Sequence, residues 1–215
     1  MTAFPPPIET ADRALLLLIN GAHTPVLDGI MWSLTNIFTW LGLIAALVFL
    51  IFHFYGKAGW KILVIILLSV GLADQISSHI IKPTVKRPRP THNVEIQNRI
   101  YCHQYANGSE YRGGPYGFVS SHATNSATAS ILFGFFLAPF FKKRCILTSS
   151  LLLFVLLFCY TRLYLGVHYP TDILSGWLLG LTISIPILFC YKKNNKHNIF
   201  IYKPLNNITY VQQKN

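Results

Sequence analysis

The sequence predicts an all-α fold, a polytopic transmembrane helical bundle of five or six spans, and three observations carry that reading. Of 215 residues, 52% are hydrophobic and only 12% are charged, too few charges to cover a soluble globule while so many long apolar runs need burial. Hydrocarbon about 30 Å thick requires roughly 20 apolar residues per helix. Five stretches reach that length: 37–55, 62–81, 122–141, 145–164 and 172–191. No internal repeat divides the chain, so residues 1–215 read as a single integral-membrane domain.

The start, MTAFPPPIET, lacks the basic stretch and long apolar core of a secretory signal. Residues 11–34 are apolar in patches, but Asp12, Arg13, Asn20, His23, Pro25 and Asp28 interrupt them. They are expected to form interfacial or re-entrant helices, with a sixth span as the alternative. Residues 82–120 form the one long segment without helical patterning. Pro83, Pro88, Pro90, Gly113, Gly114, Pro115 and Gly117 argue against regular structure there, and a connection of that length in a compact domain usually carries function. Residues 192–215 open with KKNNKHN and read as a solvated cytoplasmic tail.

Alternating the five spans across the bilayer sorts the charges. Lys57, Lys61, Lys142, Lys143, Arg144, Lys192, Lys193, Lys196 and Lys203 fall on one side, the pattern of a cytoplasmic face. Lys82, Lys86, Arg87, Arg89, Arg99, Arg112 and Arg162 fall on the other. The expected setting is a bacterial inner membrane with the loop 82–120 facing the periplasm. Cysteine usage indicates free thiols, since Cys102 alone lies in a long loop, Cys145 sits at a helix end, and Cys159 and Cys190 lie within spans. Cys102 is then open to an impermeant thiol reagent unless the loop buries it.

Three clusters fall on that outer face. In KPTVKRPRP, Lys82 and Arg89 can hold a phosphate dianion from two directions, the guanidinium as a bidentate fork and the ammonium as a point charge. A juxtamembrane basic patch that attracts acidic lipid is the plainer reading of the same residues. Ser120, Ser121 and His122 stand where the loop turns into an apolar helix. Serine is a favoured N-cap, first-turn amides attract phosphate, and an imidazole there can exchange a proton with a leaving oxygen. Plain capping beside an incidental histidine is the alternative. In TRLYLGVHYPTD, Arg162 precedes His168 by six positions and Asp172 follows His168 by four. A carboxylate so placed can take the Nδ1 proton of His168 and leave Nε2 as a directed nucleophile. The bland reading makes these helix-end residues, with Asp172 as an N-cap.

In order and spacing the clusters resemble the type 2 phosphatidic acid phosphatase superfamily, whose site is also similar to that of vanadium haloperoxidases. Lys, six residues, Arg-Pro is met by Lys82, Arg89 and Pro90; Pro-Ser-Gly-His by Val119, Ser120, Ser121 and His122; and Ser-Arg, five residues, His, three residues, Asp by Thr161, Arg162, His168 and Asp172. The motifs cover 82–172. The resemblance implies a phosphatase/haloperoxidase-like helical core and a phosphoric ester hydrolase. It also implies catalytic His168, His122 and Asp172, with Lys82, Arg89, Ser120, Ser121 and Arg162 binding phosphate. His168 would attack phosphorus and form a phosphohistidine, with no metal or other cofactor required. Ser121 departs from the family's glycine, and Val119 from its proline.

The implied partner is a membrane phospholipid or glycolipid, which the net charge of +11 suits, with no nucleic acid and no obligate protein partner. Tyr101, Tyr105, Tyr111, Tyr116 and Phe118 can stack on a sugar headgroup or form an interfacial aromatic belt. The chain also resembles short bacterial members of the family, among them lipid A and undecaprenyl diphosphate phosphatases. Lipid A (1- or 4'-phosphate) or a related phosphoglycolipid is the expected substrate. Undecaprenyl diphosphate or phosphatidylglycerol phosphate is the alternative. A non-catalytic lipid-headgroup binding or transport protein would need the cations, but not the set of His122, His168 and Asp172.

Overall fold

A computed structural model of the chain describes residues 4–194. Its first two helices, α1 (Pro6–Gly21) and α2 (Pro25–Thr35), each begin at a proline, whose missing N–H costs nothing in a first turn. Thr24 caps α2 by accepting the Leu27 amide at 3.2 Å. The two are bent by 115° over the break between them.

Four continuous helical runs are long and apolar enough to cross a bilayer, and the bent α1–α2 pair passes the same test when joined. One run, Ile37–Val85, is 49 residues long. Straight, it would reach about 74 Å at 1.5 Å per residue, more than twice the hydrocarbon thickness. It folds back instead: a Cβ at Gly59 would lie 3.2 Å from Ile51 Cγ2, residues that a straight helix holds about 12 Å apart. The run is thus a hairpin of α3 (Leu41–Tyr55) and α4 (Gly59–Gln75). With α6 (Ser121–Leu137), α7 (Arg144–Tyr164) and α8 (Pro170–Asn194) it supplies five spans.

After α4 the helix continues through a π turn, Ile76–Ile81, into α5 (Lys82–Val85). The long loop therefore starts at Lys86 rather than Lys82. Pro83 does not break the helix: it stands just past the π turn, and the helical run continues through it to Val85. Termination falls to Lys86, which takes a left-handed conformation and returns its N–H to Lys82 O at 3.0 Å. At the other end, α8 absorbs Lys192 and Lys193; the remainder of the expected tail lies outside the described residues.

Leu47, Ile51 and Phe54 of α3 pack with Ile62, Leu63 and Ile66 of α4, with Leu132, Phe133, Phe136 and Leu137 of α6, and with Leu147 and Leu151 of α7. Phe49, Leu67, Leu68, Leu178 and Phe189 are exposed, as residues facing lipid should be. Lipid tails are as apolar as leucine, so helices in a bilayer associate through close packing and not through hydrophobic exclusion. Gly176 and Gly180, four apart on α8, provide that closeness. A Cβ at Gly176 would sit 2.7 Å from Ser120 O and one at Gly180 2.9 Å from Ala127 Cβ. The seam fixes the start of α6 against the start of α8, and the Ser120 N–H donates to Asp172 O at 3.0 Å.

All four cysteines are free thiols, as the sequence indicates. Cys102 is buried, however, within a small cluster of Leu16, Ile96, Ile100 and Tyr169. It is therefore no reporter of which side the loop faces.

Candidate active site

The chain order brings the C-terminal end of the α4–α5 run, the start of α6, the end of α7 and the start of α8 to one end of the bundle, under the long loop. His168 lies in the turn between α7 and α8 and is 1% exposed. Its Nδ1 is 3.2 Å from Asp172 Oδ2, which also accepts the Tyr169 amide at 3.0 Å. On the other side of the ring, Arg89 Nη1 lies 3.2 Å from Nε2. A guanidinium can only donate, so Nε2 must accept and the ring proton must reside on Nδ1. Burial, and then the positive charges of Arg89, Arg162, Lys82 and Arg87, hold the imidazole well below its ordinary range. The ring is neutral at neutral pH, with its Nε2 lone pair turned to the Arg89 guanidinium.

Arg89 also donates from Nε to Tyr116 O and from Nη1 to Val167 O, each at 3.2 Å. Its place is set by a short extended pairing: the Arg89 amide donates to Pro115 O and the Gly117 amide to Arg87 O. Gly117 lies directly against the dyad. A Cβ there would fall 2.9 Å from Asp172 Oδ2 and 3.3 Å from Arg89 Cγ, so no larger residue fits without moving both.

Ser120 caps α6, accepting the Ala123 amide at 3.5 Å, and is fully buried. Ser121 Oγ accepts from Lys82 Nζ at 2.6 Å. His122 follows in the first turn and stacks on Phe158 with centroids 5.0 Å apart. Its ring nitrogens take no hydrogen bond from the described residues, and it lies within electrostatic range of Arg162, His168, Arg89 and Lys82. Arg162 is 3% exposed. Its Nη1 donates to Thr35 Oγ1 at 2.6 Å and its Nη2 to Tyr111 Oη at 2.7 Å. That leaves Nε buried with no partner among the described residues. A buried donor without an acceptor is costly, and a phosphoryl oxygen would supply one.

All eight residues chosen from the sequence therefore gather at this end of the bundle. The sequence reading overlooked the group that braces them. Arg87 donates to Asp172 Oδ1 at 2.6 Å, to Thr171 Oγ1 at 2.8 Å, to Asp12 Oδ2 at 2.7 Å and to Glu9 Oε2 at 3.1 Å. Its guanidinium carbon stands 4.1 Å from the Tyr169 ring centroid. Burial opposes its charge, but Asp172, Asp12 and Glu9 outweigh that and raise its pKa above the ordinary value. Asp12 reaches Thr171 as well, accepting the amide at 3.0 Å and the hydroxyl. Helix α1 is thereby locked to the N-terminal end of α8. The repeated Arg-Pro of RPRP carried a usable signal, because residues two apart on extended backbone share a face. Asp12 and Thr35 carried none, their partners being remote in sequence.

The family model described as the PAP2 superfamily matches residues 58–196. The "Lipid A 4'-phosphatase" of Porphyromonas gingivalis is 35% identical over 183 residues, covering 82% of this chain and 71% of that protein. A protein of the same name from Bacteroides thetaiotaomicron is 36% identical, covering 80% and 73%. Among solved structures, the PAP2-type phosphatidylglycerolphosphate phosphatase of Bacillus subtilis superposes with a TM-score of 0.66 at 23% identity, covering 90% of each chain, which is a likeness of fold.

Proposed function

This chain belongs to the PAP2 superfamily, and we propose that within it the protein removes the 4'-phosphate of lipid A through a phosphohistidine at His168. It is a multi-pass membrane protein and a phosphoric ester hydrolase. The observation that carries the chemistry is the contact between Arg89 Nη1 and His168 Nε2, which requires the attacking nitrogen to be unprotonated. A substrate phosphate takes over Arg89, and Nε2 attacks phosphorus as the bond to the sugar oxygen breaks. Asp172 holds the proton on Nδ1. His122, whose ring nitrogens take no hydrogen bond from the described residues, gives in its protonated form a proton to the departing oxygen and later takes one from the water that cleaves the N–P bond. Lys82, Arg89, the unpaired Nε of Arg162 and the α6 amides stabilise charge on the equatorial oxygens. Inorganic phosphate leaves and neutral His168 is restored.

Lipid A is favoured by the activity for which the two relatives above are named and by the mouth of the site. Trp32 stacks on His103 at 4.0 Å and meets Tyr111 edge-on at 5.1 Å, beside Arg162; such rings suit a sugar. Purified protein in EDTA is expected to release phosphate from bis-phosphorylated lipid A and leave the 1-phosphate intact, as read by mass spectrometry. Faster turnover of undecaprenyl diphosphate would reassign the substrate.

The site is further proposed to face the periplasm of the inner membrane, because Lys57, Lys61, Lys142 to Arg144, Lys192 and Lys193 lie at the opposite end of the spans. In a cysteine-free background, Asn107→Cys should react with an impermeant maleimide in intact cells. Lys193→Cys should react only after lysis. The reverse pattern would place the site in the cytoplasm.

A further inference from the structure

The motif around His122 departs from the family pattern at Ser121, and the structure gives that hydroxyl a task. Its oxygen accepts from Lys82 Nζ at 2.6 Å and from Ser77 Oγ at 3.0 Å, and it shares a hydrogen bond with Ser78 Oγ at 2.8 Å. A hydroxyl has one proton and two lone pairs. Lys82 can only donate to Ser121, while the single Ser77 proton is shared between Ser121 and Asp74 O, which lies 3.2 Å from Ser77 Oγ. The Ser78 hydroxyl points onward to Asp74 Oδ1 at 3.5 Å, which also accepts from Asn125 Nδ2 at 2.9 Å. The chain thus links Lys82 through Ser121, Ser77 and Ser78 to both the backbone carbonyl and the carboxylate of Asp74.

We propose that Ser121, supported by Ser77 and Ser78, is a positioning residue that holds the Lys82 ammonium at the phosphate site. The proposal rests on the reading of Lys82 as a phosphate ligand. Lys82 is a flexible arm facing Arg89, Arg162, His122 and His168, with Asp74 and Asp172 as the nearby carboxylates. Two guanidiniums repel it from the centre of the site, and Asp74 draws it back along α4. The Ser121 hydroxyl holds it forward. The π turn at Ile76–Ile81 supports this directly: its wider winding brings consecutive residues Ser77 and Ser78 both onto α6, a use of π geometry that recurs at functional sites. Asp74 is the one acidic residue between 37 and 85, and an intramembrane carboxylate normally has a partner or a task.

The test is kinetic, with inorganic phosphate as the probe of the site. Ser121→Ala and Ser121→Gly should each raise KM and weaken inhibition by phosphate about tenfold while kcat changes less than about threefold, the signature of lost binding. Ser121→Thr, which restores the hydroxyl, should recover most of the affinity. In a Lys82→Met background Ser121→Ala should have no further effect, because the two act as one unit. Equal losses in both backgrounds would overturn the proposal, as would unchanged phosphate inhibition in Ser121→Ala while Lys82→Met is impaired. If Lys82→Met itself binds phosphate normally, the assignment of Lys82 fails and the tether fails with it.

Discussion

A protein carrying His168→Ala is expected to release no measurable phosphate from any lipid, a loss of at least about three orders of magnitude, while remaining folded. Its neighbours explain why. Removing the ring leaves Arg89 bonded to Val167 O and Tyr116 O, and leaves Asp172 with the Tyr169 amide and the Arg87 guanidinium. No buried charge loses its last partner, so the cost to folding is that of a small cavity. His168→Asn, which fills more of the space, should be as inactive and closer to wild type in thermal midpoint. Phosphate release and a quenched, acid-labile phosphoprotein are the paired measurements; both should vanish. Retention of a tenth of wild-type turnover would remove His168 from the role of nucleophile.

Arg87→Met is expected to do the opposite kind of damage. Glu9, Asp12 and Asp172 are all buried around this one guanidinium, and methionine matches its length without its charge. Breaking a buried pair by removing one partner costs about 3–5 kcal/mol, since the remaining charge stays desolvated. Three carboxylates share that loss here, so the thermal midpoint in detergent should fall sharply and activity with it. Arg87→Lys should fall between, because an ammonium cannot replace a fork that reaches Asp172 through one nitrogen and Asp12 through the other. Adding Asp12→Asn and Glu9→Gln to Arg87→Met should return part of the stability. An unchanged midpoint for Arg87→Met alone would mean that the three acids are not held by it.

What was legible in the sequence is what local chemistry determines. The spans follow from apolar runs of bilayer length, and the dyad from His168 and Asp172 four residues apart at the entry to a helix. The motif cations fall together because span ends repeat at regular intervals across the membrane. Misreadings arise where a local rule meets a tertiary one. Pro83 reads as a helix breaker, yet just past the π turn the helix runs on through it to Val85, so the loop starts at Lys86. Cys102 reads as a loop thiol, yet Leu16 and Tyr169, remote in sequence, enclose it. Arg87 reads as one more outer charge because its acidic partners stand 75, 78 and 85 residues away. Ser121 registers as a departure from a motif, and only the π turn facing it shows what the extra hydroxyl touches.

The lock between α1 and α8 also orders the birth of the protein. Asp12 leaves the ribosome early, but its partners follow later, Arg87 after 75 residues and Thr171 after 159. Arg87 can therefore pair with Asp12 and Glu9 once the segment after α5 has emerged, whereas Thr171 and Asp172 join the lock only with α8. In the proposed mechanism Asp172 orients His168, and it arrives on α8 as well. A nascent chain stalled before α8 is therefore expected to release no phosphate.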